Sequence, residues 1–218
     1  MSERAHSPCM ITVCRGVEPA PGTSGCRFAT PVVEGIVQRI EGVVAASGWN
    51  DFLREQVRGP LMQHHAFKVA LSACPNGCSR PHVADVGIIR AVQPGPASAE
   101  CTQCGLCERQ CPDEALRMGS HGPVLDTDRC LACGLCVRRC PEKALPVAAD
   151  GWRVLLGGKL GRRPRLATQV GGILDEATVL HVLHGALTWY MRDYAPKRRF
   201  GVLVAASLDG GAFLLERP

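Results

Sequence analysis

The sequence predicts an α+β core split in two by an inserted cysteine-rich module. Three observations carry that reading. Apolar residues recur at helical spacing in two long stretches, and short β-branched runs lie between them. Eight of the thirteen cysteines fall within residues 98–147, where the sequence repeats itself. Residues 1–97 and 148–218 would then form the core, and 98–147 the module.

Residues 30–48 set Val33, Ile36, Val37, Ile40, Val43 and Val44 on one helical stripe, with Gly48 as the stop. Residues 51–58 add two more turns, closed by Gly59-Pro60. Phe67 to Leu71 alternates as a strand does, and 83–92 is a second strand rich in β-branched residues. Pro94-Gly95-Pro96 marks the boundary before the module. Beyond it, Trp152 to Leu156 resumes strand character and runs into Gly157-Gly158. A helix is predicted over 175–190, with Val179, Leu180, Leu183, Ala186, Leu187 and Tyr190 on its apolar face. Residues 200–215 read as a hairpin around Asp209-Gly210-Gly211. Trp49, Trp152 and Trp189 are expected to pack in the core or between helices.

Composition narrows the functions. With 46 % hydrophobic and 21 % charged residues the chain is globular rather than disordered. No apolar run approaches the ~20 residues of a membrane helix, so no membrane partner is expected. Met1 to Met10 carries Glu3, Arg4 and His6 without an apolar centre, so no secretory signal is expected and the compartment is cytoplasmic. Disulfides are rare there, and clustered cysteines then point to metal binding or redox chemistry. The net charge of +5 suits an anionic ligand or an acidic partner. Aromatics are sparse and do not alternate with basic residues, which argues against nucleic acid.

In the module, Cys101, Cys104, Cys107 and Cys111 form C-x2-C-x2-C-x3-C, followed by Pro112. Cys130, Cys133, Cys136, Cys140 and Pro141 repeat that spacing, and the tails Asp113-Glu114-Ala115-Leu116 and Glu142-Lys143-Ala144-Leu145 match. A tight loop can aim three thiolates at one cubane, and the fourth cysteine of each run ligates the other cluster. One [4Fe–4S] cluster is therefore expected on Cys101, Cys104, Cys107 and Cys140, and another on Cys130, Cys133, Cys136 and Cys111. The stretch resembles the bacterial two-cluster ferredoxins, which pass single electrons between partners.

Cys9, Cys14, Cys26, Cys74 and Cys78 remain, enough for one more cluster. Cys74-Pro75-Asn76-Gly77-Cys78 forms a turn directly after a predicted strand. The run from Cys74 to Ile89 resembles the signature of the siroheme sulfite and nitrite reductases. Thr12-Val13-Cys14 and Cys26-Arg27-Phe28-Ala29 are similar to that family's first cysteine pair, and Trp152 to Leu166 to its strand and Gly-Gly loop. Dissimilatory-type members carry a ferredoxin module inserted between these segments, as here.

The resemblance implies a sulfite reductase-like siroheme/[4Fe–4S] half-domain. Its cluster would sit on Cys14, Cys26, Cys74 and Cys78, three clusters in all. Cys78 would be the axial thiolate of the siroheme iron, and Asn76 would touch the macrocycle. Cys9 is left as the odd cysteine, with the alternative that it replaces Cys14. Siroheme carries eight carboxylates, for which Arg15, Arg27 and Arg165 are candidates. Gly157 and Gly158 would let backbone N–H groups approach the ligand. Arg80, Lys159, Arg162 and Arg163 are candidate catalytic cations, since guanidinium forks pair with small oxyanions.

The implied activity is reduction of sulfite to sulfide, with nitrite as the alternative substrate and a one-electron donor protein feeding the module. An electron-transfer protein, or a non-catalytic subunit of a larger reductase, are the rival readings. The chain covers about half of a full-length reductase; it resembles the small, assimilatory-type sulfite reductases in length and motif order, and otherwise a second subunit or a homo-oligomer would complete the pocket. It departs from the family in the C-x11-C spacing of Cys14 and Cys26, where the family has C-x5-C. Arg90 stands where the family often has glycine. His64 and His65 are expected on a surface or pocket wall rather than in proton transfer.

Overall fold

The computed structural model describes residues 7–22, 25–207 and 209–215. The first six residues of the segment used for the signal-peptide expectation lie outside that range.

Strand β1 (Cys9–Val13) leads to helices α1 (Ile36–Ala46) and α2 (Trp49–Gln56), and the chain returns through β2 (Phe67–Ser72) and β3 (Val86–Pro94). It then leaves the sheet to form α3 (Leu106–Arg109), the hairpin β4 (Leu116–Gly119) and β5 (Gly122–Leu125), and α4 (Leu135–Arg139). It re-enters as β6 (Val147–Leu156) and closes with β7 (Thr168–Leu174), α5 (Glu176–Arg192) and α6 (Phe200–Ala206). The main sheet has the order β1-β2-β3-β6-β7, and β4-β5 is a separate two-stranded sheet. β1, β2 and β3 run parallel, whereas β6 and β7 are antiparallel to their neighbours. The central strand β3 is buried at every position except Gln93, as a strand covered on both faces should be.

The helices pack a compact aromatic core. Trp49 stacks on Tyr190 at 5.2 Å between ring centroids, and Phe67 and Phe200 meet edge to face at 5.3 Å. The Trp49 indole N–H donates to the Pro8 carbonyl at 2.9 Å, so its polar edge is satisfied. Trp152 and Trp189 are buried too. Asp175 caps α5 by accepting the Thr178 N–H at 2.7 Å. Arg39 of α1 pairs with Glu176 at the first turn of α5 and clips the two helices together.

The sequence predicted both long helices and the strands β2, β3 and β6 but not β1, β4, β5 or β7, and three of its predicted elements differ in the structure. Helix α1 begins at Ile36, not at residue 30, because Pro31 and a left-handed Gly35 (φ 78°) hold the preceding residues in a loop; Val33 is exposed rather than on the stripe. The stretch read as one strand over 83–92 begins as a 3-10 turn, Pro81–Val83, and the strand runs on to Pro94. The predicted hairpin over 200–215, of which residue 208 is not described, is instead α6 followed by a 3-10 turn, Ala212–Leu215. Phe200, Leu203 and Val204 are all buried, a helical spacing. Asp209 does turn the chain, but by accepting the N–H groups of Gly211 and Phe213 at 2.9 and 2.7 Å, which starts a helical turn. Among the described residues no helix is long and apolar enough to cross a membrane.

One buried acid lies at the join of β2, β3 and β6. Asp85 accepts the Lys68 N–H on its carboxylate at 2.9 Å, and its carbonyl accepts the Gly157 N–H at 2.9 Å. Burial pushes its carboxyl up to about 6, against the opposing Lys68 N–H and the charges of Arg199 and Lys68. The folded chain therefore holds this proton more tightly than the unfolded chain, and stability falls as pH rises from about 4 to about 6. Asp85→Asn keeps an acceptor for Lys68 and removes the charge. It is expected to flatten that slope and to stabilise the chain near pH 7.5 by roughly 2–3 kcal/mol. Unfolding midpoints that track each other across pH 4–8 in the two chains would refute this.

Candidate metal centres

Parallel pairing of β1 with β2 brings the chain ends after Val13 and Leu71 side by side. Cys14 follows β1 directly, and its Sγ accepts the Ala73 N–H at 3.3 Å. Gly16 then lets the chain double back: a Cβ there would meet the methyls of Ala29 and Ala73 at 2.8 and 3.0 Å. The segment after Cys26 lies against the end of β2, with the Thr30 N–H donating to the Ala73 carbonyl at 2.9 Å. Cys14 and Cys26, with eleven residues between them in sequence, are therefore held together at the end of β2.

On the β2 side, Ser72 and Ser79 join hydroxyls at 2.7 Å, both buried, and staple the turn that holds Cys74 and Cys78. Gly77 takes the left-handed step in that turn, with φ +61°. Cys14, Cys26, Cys74 and Cys78 consequently wall one cavity of about 430 Å³ with Arg15, Phe28 and Asn76. Burial pushes the Cys74 thiol up, and the neighbouring thiolates of Cys26, Cys14 and Cys78 push it the same way. Cys9 sits at the other end of β1 in the hydrophobic core, where burial first and Asp85 second push its thiol up to about 12. The geometry gathers Cys14, not Cys9, with the other three.

The repeat in the module is a repeat of backbone. Left-handed residues recur at the same offset in both halves: Gln103 and Ala132, Gly105 and Gly134, Glu114 and Lys143. The Ala115 and Ala144 N–H groups donate to Cys111 and Cys140 Sγ, each at 3.3 Å. Cys101, Cys104, Cys107 and Cys140 wall one pocket, and Cys111, Cys130, Cys133 and Cys136 wall another. The fourth cysteine of each run thus crosses to the other pocket. Burial pushes the Cys136 thiol up to about 12, and raises those of Cys107 and Cys130 as well.

All thirteen cysteines are free of disulfides. Among the described residues no trio of His, Cys, Asp or Glu closes on a point as a single-ion site requires. Zinc draws four thiolates to within ~2.3 Å of one atom, whereas a [4Fe–4S] cubane binds one thiolate at each of its four irons. Thiols spread around three pocket walls suit the second arrangement.

The core site and one module site adjoin. A cavity of about 120 Å³ is lined by Cys74, Phe28 and Asn76 on the core side and by Cys133, Leu131 and Arg138 on the module side. The buried Thr30 hydroxyl donates to the Cys133 carbonyl at 2.9 Å. Arg138 donates to Thr30 Oγ1 at 2.9 Å and to the Cys133 carbonyl at 3.0 Å. The Cys101-containing pocket, by contrast, is walled by module residues only. Sequence reading missed Thr30 and Arg138; the only available signal was that Arg138 repeats Arg109 in the cysteine runs.

The predicted cations divide into two groups. Arg15, Arg27, Arg80, Arg162 and Arg163 are exposed, as are Asn76 and Cys78. Neither these arginines nor Lys159 pairs with an acidic side chain among the described residues, and Arg27 lies over the Phe28 ring at 4.6 Å. Lys159 and Arg165 pair by two backbone bonds of 3.0 Å and present Arg162 and Arg163 at the loop tip. The Ala167 N–H donates to the His82 carbonyl at 2.7 Å, which sets this loop beside the turn that carries Cys78 and Arg80. An exposed thiol flanked by cations without acid partners suits a polyanionic ligand.

The other group is structural. Arg165 donates to the Gly201 carbonyl at 3.0 Å. The small size of Gly157 and Gly158, which the sequence suggested served ligand approach, is demanded by the chain itself. A Cβ on Gly157 would strike Val204 at 2.7 Å, and one on Gly158 would meet the Ala84 and His82 carbonyls at 2.6 and 2.7 Å. His64 and His65 pack on each other at 4.1 Å in the turn before β2, outside all three cysteine pockets.

The family described as the nitrite and sulphite reductase 4Fe-4S domain matches residues 14–207. A 98-residue stretch is 48 % identical to the coenzyme F420-dependent sulfite reductase of Methanocaldococcus jannaschii, over 45 % of this chain and 16 % of that protein. The fold is similar to the crystal structure of dissimilatory sulfite reductase I, with a TM-score of 0.57 and 17 % identity, covering 94 % of this chain and 51 % of that one. It is also similar to the NirA protein of Mycobacterium tuberculosis, with a TM-score of 0.51 and 14 % identity, covering 93 % of this chain and 26 % of that one. The chain spans about half the length, or less, of each of these proteins.

Proposed function

Because this chain belongs to the nitrite and sulphite reductase 4Fe-4S domain family, we propose that it holds three [4Fe–4S] clusters and a siroheme and reduces sulfite to sulfide. The observation that carries the reading is the convergence of Cys14, Cys26, Cys74 and Cys78 on one cavity that adjoins a module site. Bound there, the clusters would supply electrons singly and siroheme would supply an iron for a small oxyanion; six electrons and six protons convert sulfite to sulfide and three waters.

The chain's own residues set the route and the ligand. Cys101, Cys104, Cys107 and Cys140 would hold the entry cluster and receive electrons from a one-electron donor protein. Cys111, Cys130, Cys133 and Cys136 would hold the second cluster, and Cys14, Cys26, Cys74 and Cys78 the third. The exposed Cys78 thiol would face siroheme. Arg15 and Asn76 line the cavity that Cys78 helps wall, Arg27 follows Cys26 in the chain, and all three would bind the macrocycle and its carboxylates. Arg80, Lys159, Arg162 and Arg163 would hold the oxyanion and its departing oxygens by charge-assisted hydrogen bonds. The cationic face is open, and the chain spans 51 % of the dissimilatory enzyme's chain. A second copy or a partner subunit would therefore close the pocket, and the same fact supports a reading as one subunit of a larger reductase.

The test is anaerobic purification with siroheme supply, followed by iron and acid-labile sulfide counts, acid–acetone extraction of tetrapyrrole, and turnover of sulfite and nitrite with a reduced dye. Siroheme, sulfide for three clusters and sulfide formation from sulfite are expected. Clusters without tetrapyrrole would make the chain an electron carrier. Cofactors without turnover, restored by a co-purifying chain, would make it a subunit. Faster turnover of nitrite would reassign the substrate.

A further inference from the structure

Arg109 and Arg138 hold the same place in the two halves of the module, yet their surroundings differ. Each donates to the carbonyl of its run's second cysteine, Arg109 to Cys104 at 3.1 Å and Arg138 to Cys133 at 3.0 Å. Both of these bonds, and both arginines, are solvent-exposed; the difference lies in the second partner of Arg138. Arg138 also donates to Thr30, which is 1 % exposed, and it lines the cavity shared by Cys133 and Cys74. Through that cavity its guanidinium borders both Cys133 and Cys74, and so two four-cysteine sites at once.

A second arginine acts on the same module site. Arg153 on β6 has a buried Nε with no hydrogen-bond partner among the described residues. Its charge faces Cys130, Asp113 and Cys133. A guanidinium drawn out of water without a full set of acceptors is unfavourable unless negative charge lies nearby. Asp113 is the carboxylate that lines this site; Arg138 reaches it through the Cys133 carbonyl and Arg153 through its field on Cys130 and Cys133. At the outer site Arg109 alone stands beside Glu142.

Taking the cluster reading above as given, we infer that Arg138 and Arg153 make the Cys111, Cys130, Cys133 and Cys136 site the more oxidising of the module's two. An electron from the donor protein then falls inward, toward Cys74. Each step moves one electron: the outer cluster is reduced by the donor, then reoxidised as the inner cluster is reduced. Reduction adds one negative charge to a cluster. A nearby cation favours that form, and more strongly where water screens it less. Arg138 and Arg153 are positioning residues in this scheme, acting through their field and not by ligation.

The test is an EPR-monitored redox titration of the full chain, purified anaerobically, with iron and sulfide counted for each variant. In R138Q and R153Q the inner midpoint is expected to fall and its gap to the outer midpoint to narrow. R138K, which keeps the charge, is expected to preserve the gap. R109Q is expected to move the other midpoint and so assigns the two signals. Intact clusters whose midpoints do not move, or move together, would overturn the inference alone, as would an R138K that behaves like R138Q. A chain that binds no clusters would overturn the cysteine reading as well, and the sulfide count reports that separately.

Discussion

Cys78→Ala is expected to remove about a third of the chain's cluster iron and sulfide, and to lower sulfite reduction by more than about a hundredfold, since even second-shell changes around metal ligands cost ten- to a hundredfold. Cys78 is the exposed member of its set and ends the turn that Ser72, Ser79 and Gly77 hold in place. Its loss leaves three thiols around the 430 Å³ cavity and removes the thiol that would face siroheme. The module's two pockets share no wall residue with that cavity, so their cluster signals are expected to persist. Cys9→Ala is the matched control: it trims a buried thiol at the far end of β1 and is expected to leave iron, sulfide and turnover unchanged. Full iron and sulfide in the Cys78 variant, with an unaltered tetrapyrrole spectrum, would refute the assignment of the third site.

The two kinds of cysteine site differ in how far they could be read from the chain. In the module every loop is short, so C-x2-C-x2-C-x3-C alone dictates which thiols can face one another. Only the crossing of the fourth cysteine is non-local, and the internal repeat signals it. In the core, Cys14 and Cys74 are neighbours because β1 and β2 pair in parallel, with Val13 opposite Leu71. That register is a tertiary fact with no local signature, and only the resemblance joined the two pairs. β1 is short, and β7 is interrupted by Gly171-Gly172 and exposed along most of its length, so neither showed strand periodicity. The C-terminal error has a similar origin. Over a few apolar residues, periods of 2 and 3.6 are hard to tell apart, and Asp-Gly-Gly suits a helical turn as well as a hairpin. Thr30 and Arg138 lie 108 residues apart in sequence, and nothing in the neighbourhood of either residue announces the contact.

Arg90 shows what a departure from family pattern can contribute, and its replacement is the largest stability effect expected. Where the family often has glycine, this chain places an arginine that is 8 % exposed. Its Nε donates to the Pro31 carbonyl at 2.8 Å, and Nη1 donates to the Gly151 and Ala91 carbonyls at 2.7 and 2.9 Å. Nη2 pairs with Asp150, and the guanidinium lies 5.5 Å from the centre of the Trp152 ring. One side chain thus joins the segment after Cys26 to β3, and both to β6, where the chain returns from the module. Arg90→Ala strands those carbonyls and leaves a void beside Trp152. The expected loss is about 3 kcal/mol, or a thermal midpoint lower by roughly 10 °C in a chain of this size. Asp150 is half exposed, so Asp150→Asn is expected to cost less than about 1 kcal/mol. Arg90→Lys keeps the charge but not the planar fork and is expected to recover less than half of the loss. If Asp150→Asn proved as damaging as Arg90→Ala, the ion pair and not the carbonyl clamp would be the source of the stability. If Arg90→Ala unfolded within 2 °C of the parent chain, the arginine would have no part in joining the segment after Cys26 to β3 and β6.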